Sequence, residues 1–130
     1  MKNQEAKNWL DFAKRDLEAA KLLYEFGDIP NALYHLQQSA EKSLKSVIIY
    51  QSIPLTPKQF RTHSLEYLCN VLEDYKVDIP EELKDISTLT AYAFTTRYPD
   101  DYIPVSEEEY EQAYEIALKV YEWAKSIVEN

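Results

Sequence analysis

The chain has little cysteine, glycine or positive charge, and each shortage excludes a class of protein. A single cysteine among 130 residues excludes an internal disulfide and is typical of a reducing compartment. A single glycine excludes a glycine-rich phosphate loop, and a formal net charge of −9 argues against indiscriminate nucleic-acid binding. No apolar run is long enough for a signal peptide or a membrane span, so we expect a cytoplasmic protein.

The negative charge is concentrated in the second half of the chain. Residues 1–62 carry nine Lys or Arg and seven acidic residues, a net of +2. Residues 63–130 carry five and sixteen, a net of −11. We therefore expect a polyanion to approach the first half and a basic partner to approach the second half, although such an asymmetry often reflects only a solvated acidic surface.

Apolar residues recur at helical spacing along almost the whole chain, and no alternating pattern indicates a strand. We predict five helices, at about 3–26, 30–51, 63–75, from 80 to the segment at 95–102, and from 106 to 128. Gly27 suits a left-handed C-terminal cap, Pro30 a first helical position, and Ser106 with Glu109 a capping box. The predicted fold is all-α, a single domain over residues 1–130: an up-and-down antiparallel bundle of four long helices plus one short helix.

The second predicted helix carries a polar stripe apart from its apolar face. His35, Gln38, Lys42 and Lys45 follow at steps of three, four and three residues, so they line one side of the helix. Two cations, an amide and an imidazole suit phosphate binding or a contact across a symmetric dimer. An ordinary exposed face is the alternative.

A second candidate site lies where the fourth predicted helix must end, at Thr95–Tyr102. Arg97 precedes Pro99, and Asp100, Asp101 and Tyr102 follow it on the connection to the last helix. Arginine commonly grips phosphate with two parallel hydrogen bonds, but a cation in a last helical turn is also favoured by the helix dipole. Adjacent carboxylates are more often caps than metal ligands, so we predict no metal and no cofactor.

In composition and order, these residues resemble the HEPN domain family, the nucleotide-binding helical domain of higher eukaryotes and prokaryotes. The resemblance covers nearly the whole chain and rests on Trp9, Ala13, Asp16–Leu17, Ala20, Ala32, His35, Gln38–Lys42, Lys45, Thr62–Leu65 and Thr96–Asp100. It implies a helical bundle, usually a homodimer with a polar cleft between subunits. Many relatives are RNA-cleaving toxins or inactive derivatives encoded beside a minimal nucleotidyltransferase.

The resemblance also indicates which residues carry the activity of the family. Cleaving members have an arginine followed, after four to six residues, by a histidine; Arg97 matches the arginine, and Tyr102 stands five residues on. Tyrosine has an ordinary pKa of about 10 and is a poor proton shuttle at neutral pH. In the subgroup paired with nucleotidyltransferases a modified tyrosine lies two residues further on, where this chain has Pro104.

We therefore predict a dimeric HEPN protein that binds nucleotide or RNA in a nucleotidyltransferase-linked, toxin–antitoxin-like system without efficient catalysis. The predicted nucleotide- or phosphate-binding residues are Arg97, Asp100, Tyr102, His35, Gln38, Lys42 and Lys45. One alternative is a metal-independent endoribonuclease in which His35 or His63 replaces the histidine missing at position 102. The other is a structural module without a small ligand, whose acidic second half docks a basic protein.

Overall fold

The computed structural model describes residues 2–93 and 105–129, and these form helices and connections without a strand. In chain order the helices are α1 (Lys2–Phe26), α2 (Ile29–Tyr50), the single turn α3 (Pro57–Phe60), α4 (Leu65–Asp74), a 3₁₀ helix (Glu81–Tyr92) and α5 (Glu107–Val128). The prediction of an all-α bundle is confirmed. The single-turn helix α3 was not predicted, because its residues lie between the predicted helices at 30–51 and 63–75.

Helix α2 forms the centre of the bundle and contacts α1, α4, α5 and the 3₁₀ helix. Its apolar face lies fully inside, as its spacing predicts, with Leu33, Leu36, Ala40, Leu44, Val47 and Ile48 at most 1% exposed. Small residues on the neighbouring helices, among them Ala6, Ala13 and Ala20 of α1, are also fully buried. Because α2 has neighbours on several sides, polar residues beside its apolar face are also covered by protein.

Short polar side chains fix the helix ends. Asp28 accepts a hydrogen bond from the Asn31 backbone N–H at 3.2 Å and caps α2, while Ser106 accepts from the Glu109 N–H at 3.1 Å and caps α5. Ser64 caps α4, because its hydroxyl accepts from the Tyr67 N–H at 3.1 Å. Each cap satisfies a backbone donor that has no partner inside its helix.

The last turn of the 3₁₀ helix is joined to two neighbouring helices. The Thr90 hydroxyl accepts a hydrogen bond from the Leu65 backbone N–H at 3.2 Å, so it contributes to the start of α4. The phenol of Tyr92 donates to a carboxylate oxygen of Glu109 in the first turn of α5. This contact occupies the Glu109 side chain that the predicted capping box would have turned back onto Ser106.

Candidate functional site

The seven predicted site residues fall into two sets. His35, Gln38, Lys42 and Lys45 lie on α2, inside the described part of the chain. Arg97, Asp100 and Tyr102 lie outside the described residues, so their place in the site stays a prediction.

His35 and Lys42 are held by one carboxylate, that of Asp16 on α1. The His35 Nδ1 lies 2.8 Å from Asp16 Oδ1, and the Lys42 Nζ donates to Asp16 Oδ2 at 2.7 Å. The Asp16 side chain is only 10% exposed, whereas the His35 and Lys42 side chains are 32% and 26% exposed. We call these three residues the Asp16 group; it holds an ammonium and an imidazole, both partly exposed, above a buried anion.

A second cluster of the same kind lies further along α2 and is built on Glu41. The Lys45 Nζ donates to Glu41 Oε2 at 2.7 Å, and the His63 Nδ1 lies 2.9 Å from Glu41 Oε1. The side chains of Glu41 and Lys45 are each 5% exposed, while the His63 side chain is 47% exposed. We call Glu41, Lys45 and His63 the Glu41 group. The interpretation of the stripe as an ordinary exposed face is therefore wrong for Lys45.

Two adjacent amides extend the Glu41 group. The Gln37 side chain is fully buried, and its Nε2 donates to Glu41 Oε1 at 3.2 Å and to the His63 carbonyl at 3.1 Å. The Gln38 Nε2 donates to Gln37 Oε1 at 2.7 Å. Gln38 therefore reaches the Glu41 group only through Gln37, a residue that the spacing of the stripe did not indicate.

The carboxylates determine how both imidazoles are oriented. An ionised carboxylate only accepts hydrogen bonds, so the ring nitrogen facing it, Nδ1, carries a proton in both histidines. A histidine fixed in this way is positioned for proton transfer or hydrogen bonding through its other ring nitrogen. In both groups a buried carboxylate thus determines the orientation of a partly exposed histidine.

Aromatic rings lie beside both groups. The Lys45 Nζ lies 5.0 Å from the Phe60 ring centroid and 5.9 Å from that of Trp9, and these two rings meet edge to face at 5.3 Å. Phe12, one helical turn before Asp16, is 44% exposed and has the Arg15 guanidinium 5.5 Å from its centroid. Of these, only Phe12 with Arg15 combines a cation with an exposed ring, a combination with which proteins hold single-stranded nucleic acid.

The single cysteine, Cys69, does not contribute a reactive group. It is 9% exposed on α4, as its apolar position predicts, and burial raises the pKa of its thiol to about 11, with smaller contributions from Glu73 and Glu66. A thiol with so high a pKa carries almost no thiolate at neutral pH.

Within 2–93 and 105–129, no three His, Cys, Asp or Glu side chains converge as metal ligands would. Over the same residues, none of the helices has the combination of length and apolar character that crossing a bilayer requires.

Comparisons with known proteins agree with this architecture. The family model described as HEPN domain matches residues 6–127. A curated relative from Methanocaldococcus jannaschii, named "Putative toxin MJ1304", is 30% identical over 104 residues, which are 75% of this chain and 65% of the relative. The chain therefore spans just under two thirds of the length of that protein.

Two crystal structures share the whole fold. ST0689, described as an archaeal HEPN homologue, has a TM-score of 0.73 and 25% identity, covering 95% of this chain and 97% of its own. TT1696 from Thermus thermophilus has a TM-score of 0.74 and 28% identity, covering 93% and 96%. With a family match over nearly its entire length and a shared fold, the chain belongs to the HEPN domain family.

Proposed function

We propose that this HEPN protein is a cytoplasmic homodimer that binds a nucleotide or RNA by its phosphates, without efficient cleavage, in a toxin–antitoxin-like system with a nucleotidyltransferase partner. Family membership and the toxin name of the Methanocaldococcus relative support the kind of system. The phosphate-binding part of the proposal depends on one observation, the Asp16 group.

The Asp16 group supplies part of what a phosphate site needs. The Lys42 ammonium has three donors, and Asp16 accepts one of them, so Lys42 can turn another toward a ligand. Asp16 also holds His35 beside Lys42, so less side-chain freedom is lost when a phosphate binds. The Asp16 charge offsets part of the attraction between Lys42 and a phosphate, so a second cation is needed for firm binding. Arg97 is our candidate for that cation, because its guanidinium can grip two phosphate oxygens at once.

Calorimetry with ATP, GTP and a short single-stranded RNA tests the proposal. We expect Lys42→Met and Arg97→Ala each to weaken binding about tenfold, since a hydrogen bond to a charged group contributes about 1.5 kcal/mol. Lys84→Met is the matched control, because Lys84 has a 67% exposed side chain on the 3₁₀ helix and the same charge is lost there. Absence of binding to the wild type, or undiminished binding in both site variants, would contradict the proposal.

One observation favours a second candidate function, a metal-independent endoribonuclease. The described residues contain two histidines, and the Nδ1 of each lies on a buried carboxylate, at 2.8 Å in the Asp16 group and 2.9 Å in the Glu41 group. Histidines oriented by carboxylates are common general acids and bases. An RNA cleavage assay in EDTA separates the two functions: activity lost in His35→Ala/His63→Ala supports this candidate, and full activity in that double variant excludes it.

A further inference from the structure

A cavity of about 720 Å³ lies on a different part of the molecule from the Asp16 and Glu41 groups. It lies between the last two turns of α1, from Lys21 to Glu25, and the first half of α5, from Glu108 to Glu115. Its volume is within the range of cavities that hold small ligands. It shares no lining residue with either polar group, so it is a separate candidate site.

Tyrosine rings form the walls of this cavity. The rings of Tyr24 and Tyr110 stack in parallel, with centroids 4.0 Å apart and 4° between their planes. The Tyr114 ring follows, with its centroid 6.0 Å from that of Tyr110 and a tilt of 31°. Tyr110 is buried, and Tyr24 and Tyr114 are half-buried. Their electron-rich faces attract cations and also pack well against methylene groups.

The rim of the cavity carries a strong excess of negative charge. Four carboxylates line it, those of Glu25, Glu108, Glu111 and Glu115, against the single ammonium of Lys21. The three on α5 follow at steps of three and four residues, so they lie on one side of the helix, about 4.5 and 6 Å apart along its axis. Like charges at such spacings repel one another, and a bound cation would relieve this repulsion.

The pKa values of two of these tyrosines are raised, chiefly by burial and to a smaller extent by neighbouring groups. Burial raises the pKa of Tyr110 to about 12, with smaller contributions from Tyr114, Tyr24 and Glu25. Burial also raises the pKa of Tyr24, and Glu107 and Glu111 add to this effect. Both phenols are therefore neutral at physiological pH, while their rings lie in a negative potential.

We propose that this cavity binds a linear aliphatic polyamine. Amine groups separated by three or four methylenes can reach successive carboxylates along α5, while the methylenes between them lie on the faces of Tyr24 and Tyr114. A hydrated divalent cation would meet the carboxylates but gain little from the rings, and an anionic ligand would be repelled. The ring faces and the regular spacing of the carboxylates together select an extended organic cation.

Calorimetric titration with spermidine at physiological ionic strength tests this proposal. We expect saturable binding, and we expect Glu111→Gln to weaken it about fivefold, which is the effect of one close charge contact near a solvated surface. Tyr24→Leu keeps an apolar side chain but removes a ring face, and should weaken binding about threefold. Glu73→Gln is the matched control, because Glu73 is exposed on α4, outside the cavity, and its loss changes the net charge equally.

The outcomes distinguish a specific binding site from general charge attraction. Equal weakening in Glu73→Gln and Glu111→Gln would overturn the proposal, as would wild-type affinity in Glu111→Gln. Competition by Mg²⁺ at equal concentration would also overturn it, because the rings would then contribute nothing. Glu111 is exposed, so its substitution tests the site even if Tyr24→Leu reduces the stability of the fold. Unchanged RNA binding in Glu111→Gln would show that the cavity and the Asp16 group act independently.

Discussion

Glu41 is buried inside the bundle and is also part of the candidate site. Its carboxylate is buried together with the ammonium of Lys45, and a buried charge requires a partner of opposite sign. An ion pair of this kind often contributes little net stability, but removing one member leaves the other charge buried and uncompensated. The Glu41 group should therefore respond very differently to single and paired substitutions.

We predict that Glu41→Gln lowers the free energy of unfolding by about 3 kcal/mol, because it leaves the Lys45 ammonium buried without a counter-charge. Glu41→Gln/Lys45→Met should recover at least half of this loss. Glu81→Gln is the control, since the Glu81 side chain is 89% exposed and its pair with Lys84 should contribute less than about 0.5 kcal/mol. Urea unfolding followed by circular dichroism measures all three. A double variant no more stable than Glu41→Gln would disprove the argument.

The phenol of Tyr110 makes the stability of the fold depend on pH in the alkaline range. The pKa of its phenol is about 12 in the folded protein and about 10 when exposed, so the folded state holds the proton more tightly. The resulting stability is fully present below about pH 10 and is lost as the pH rises toward about 12. We predict that the urea midpoint of Tyr110→Phe falls less steeply over this range than that of the wild type.

A matched variant completes the alkaline experiment. Tyr75→Phe removes a phenol whose residue is 51% exposed on the surface, and it should keep the wild-type dependence on pH. Parallel curves for Tyr110→Phe and the wild type would contradict the assignment to Tyr110. Because burial also raises the pKa of Tyr24 and Tyr121, the Tyr110 variant should remove only part of the alkaline loss.

The sequence indicated the residues of the candidate site that lie on α2, but not their partner on α1. The spacing of His35 and Lys42 placed them on one side of α2, and the structure confirms that they lie together. Their partner Asp16 precedes them by 19 and 26 residues on another helix. Periodicity gives the faces of one helix but not the relative rotation of two helices, so these ion pairs could not be predicted. The burial of Lys45 escaped prediction for the same reason.

At the scale of the helices, one type of C-terminal cap is used three times. After α1, Gly27 N–H donates to Tyr24 O at 3.0 Å and Asp28 N–H to Leu23 O at 2.8 Å, which is a Schellman motif. The same pair of bonds follows α2 and α4, with Ser52 and Lys76 in the place of the glycine. Their φ angles are +60° and +67°, against +100° at Gly27. The sequence indicated only the glycine cap, because the other two residues do not ordinarily adopt this conformation.

We predict opposite effects of glycine substitutions at these caps. Gly27→Ala should lower the free energy of unfolding by about 1 kcal/mol, because alanine is strained at positive φ. Lys76→Gly should raise it by about 0.5 kcal/mol, since relief of the left-handed strain exceeds the added entropy of the unfolded chain. Lys76→Ala, which removes the side chain without relieving the backbone, is the control. Equal stability of Lys76→Gly and Lys76→Ala in urea unfolding would refute this account.

The 3₁₀ helix shows a periodicity that differs from the predicted one. An α-helix was expected after Pro80, but the buried residues Leu83, Ile86 and Leu89 recur every third residue. A period of three matches the 3.0 residues per turn of a 3₁₀ helix, which places all three on one side. Runs of this length are uncommon because the hydrogen bonds are poorer, so packing of these residues against α2 and α5 must supply the stability. The identity of the element was thus predictable only in part.

At the scale of the molecule, helical periodicity was sufficient to predict the fold. Most of the apolar residues that recur at helical spacing along α5 form one stripe and are buried, namely Tyr110, Ala113, Ala117, Ala124 and Val128. Tyr114 and Tyr121, in the same stripe, are only half-buried. Tyr114 instead lines the cavity between α1 and α5. The cavity could not be predicted, because its size depends on the distance between the end of α1 and the first half of α5.

The proposed homodimer requires a surface that a second copy can cover, and α1 offers one. Leu22 and Phe26 are 68% and 86% exposed one turn apart, and Phe12 is 44% exposed on the same side of the helix. Large apolar side chains gathered on one face of a soluble protein often mark an interaction site. Phe12 lies one helical turn before Asp16 on α1. A dimer formed on this face would therefore place the two copies of the Asp16 group near each other.

We predict that the wild type elutes as a dimer in size-exclusion chromatography with light scattering, and that Leu22→Ser/Phe26→Ser elutes as a monomer. Burying apolar surface contributes about 25 cal/mol per Å², so the loss of two large side chains weakens the interface by several kcal/mol. Tyr75→Ser is the control, because it removes a comparably exposed ring from the end of α4 and should leave the dimer intact. A monomeric wild type would contradict the dimer. A double variant that stays dimeric while keeping its helical circular dichroism would place the interface on another surface.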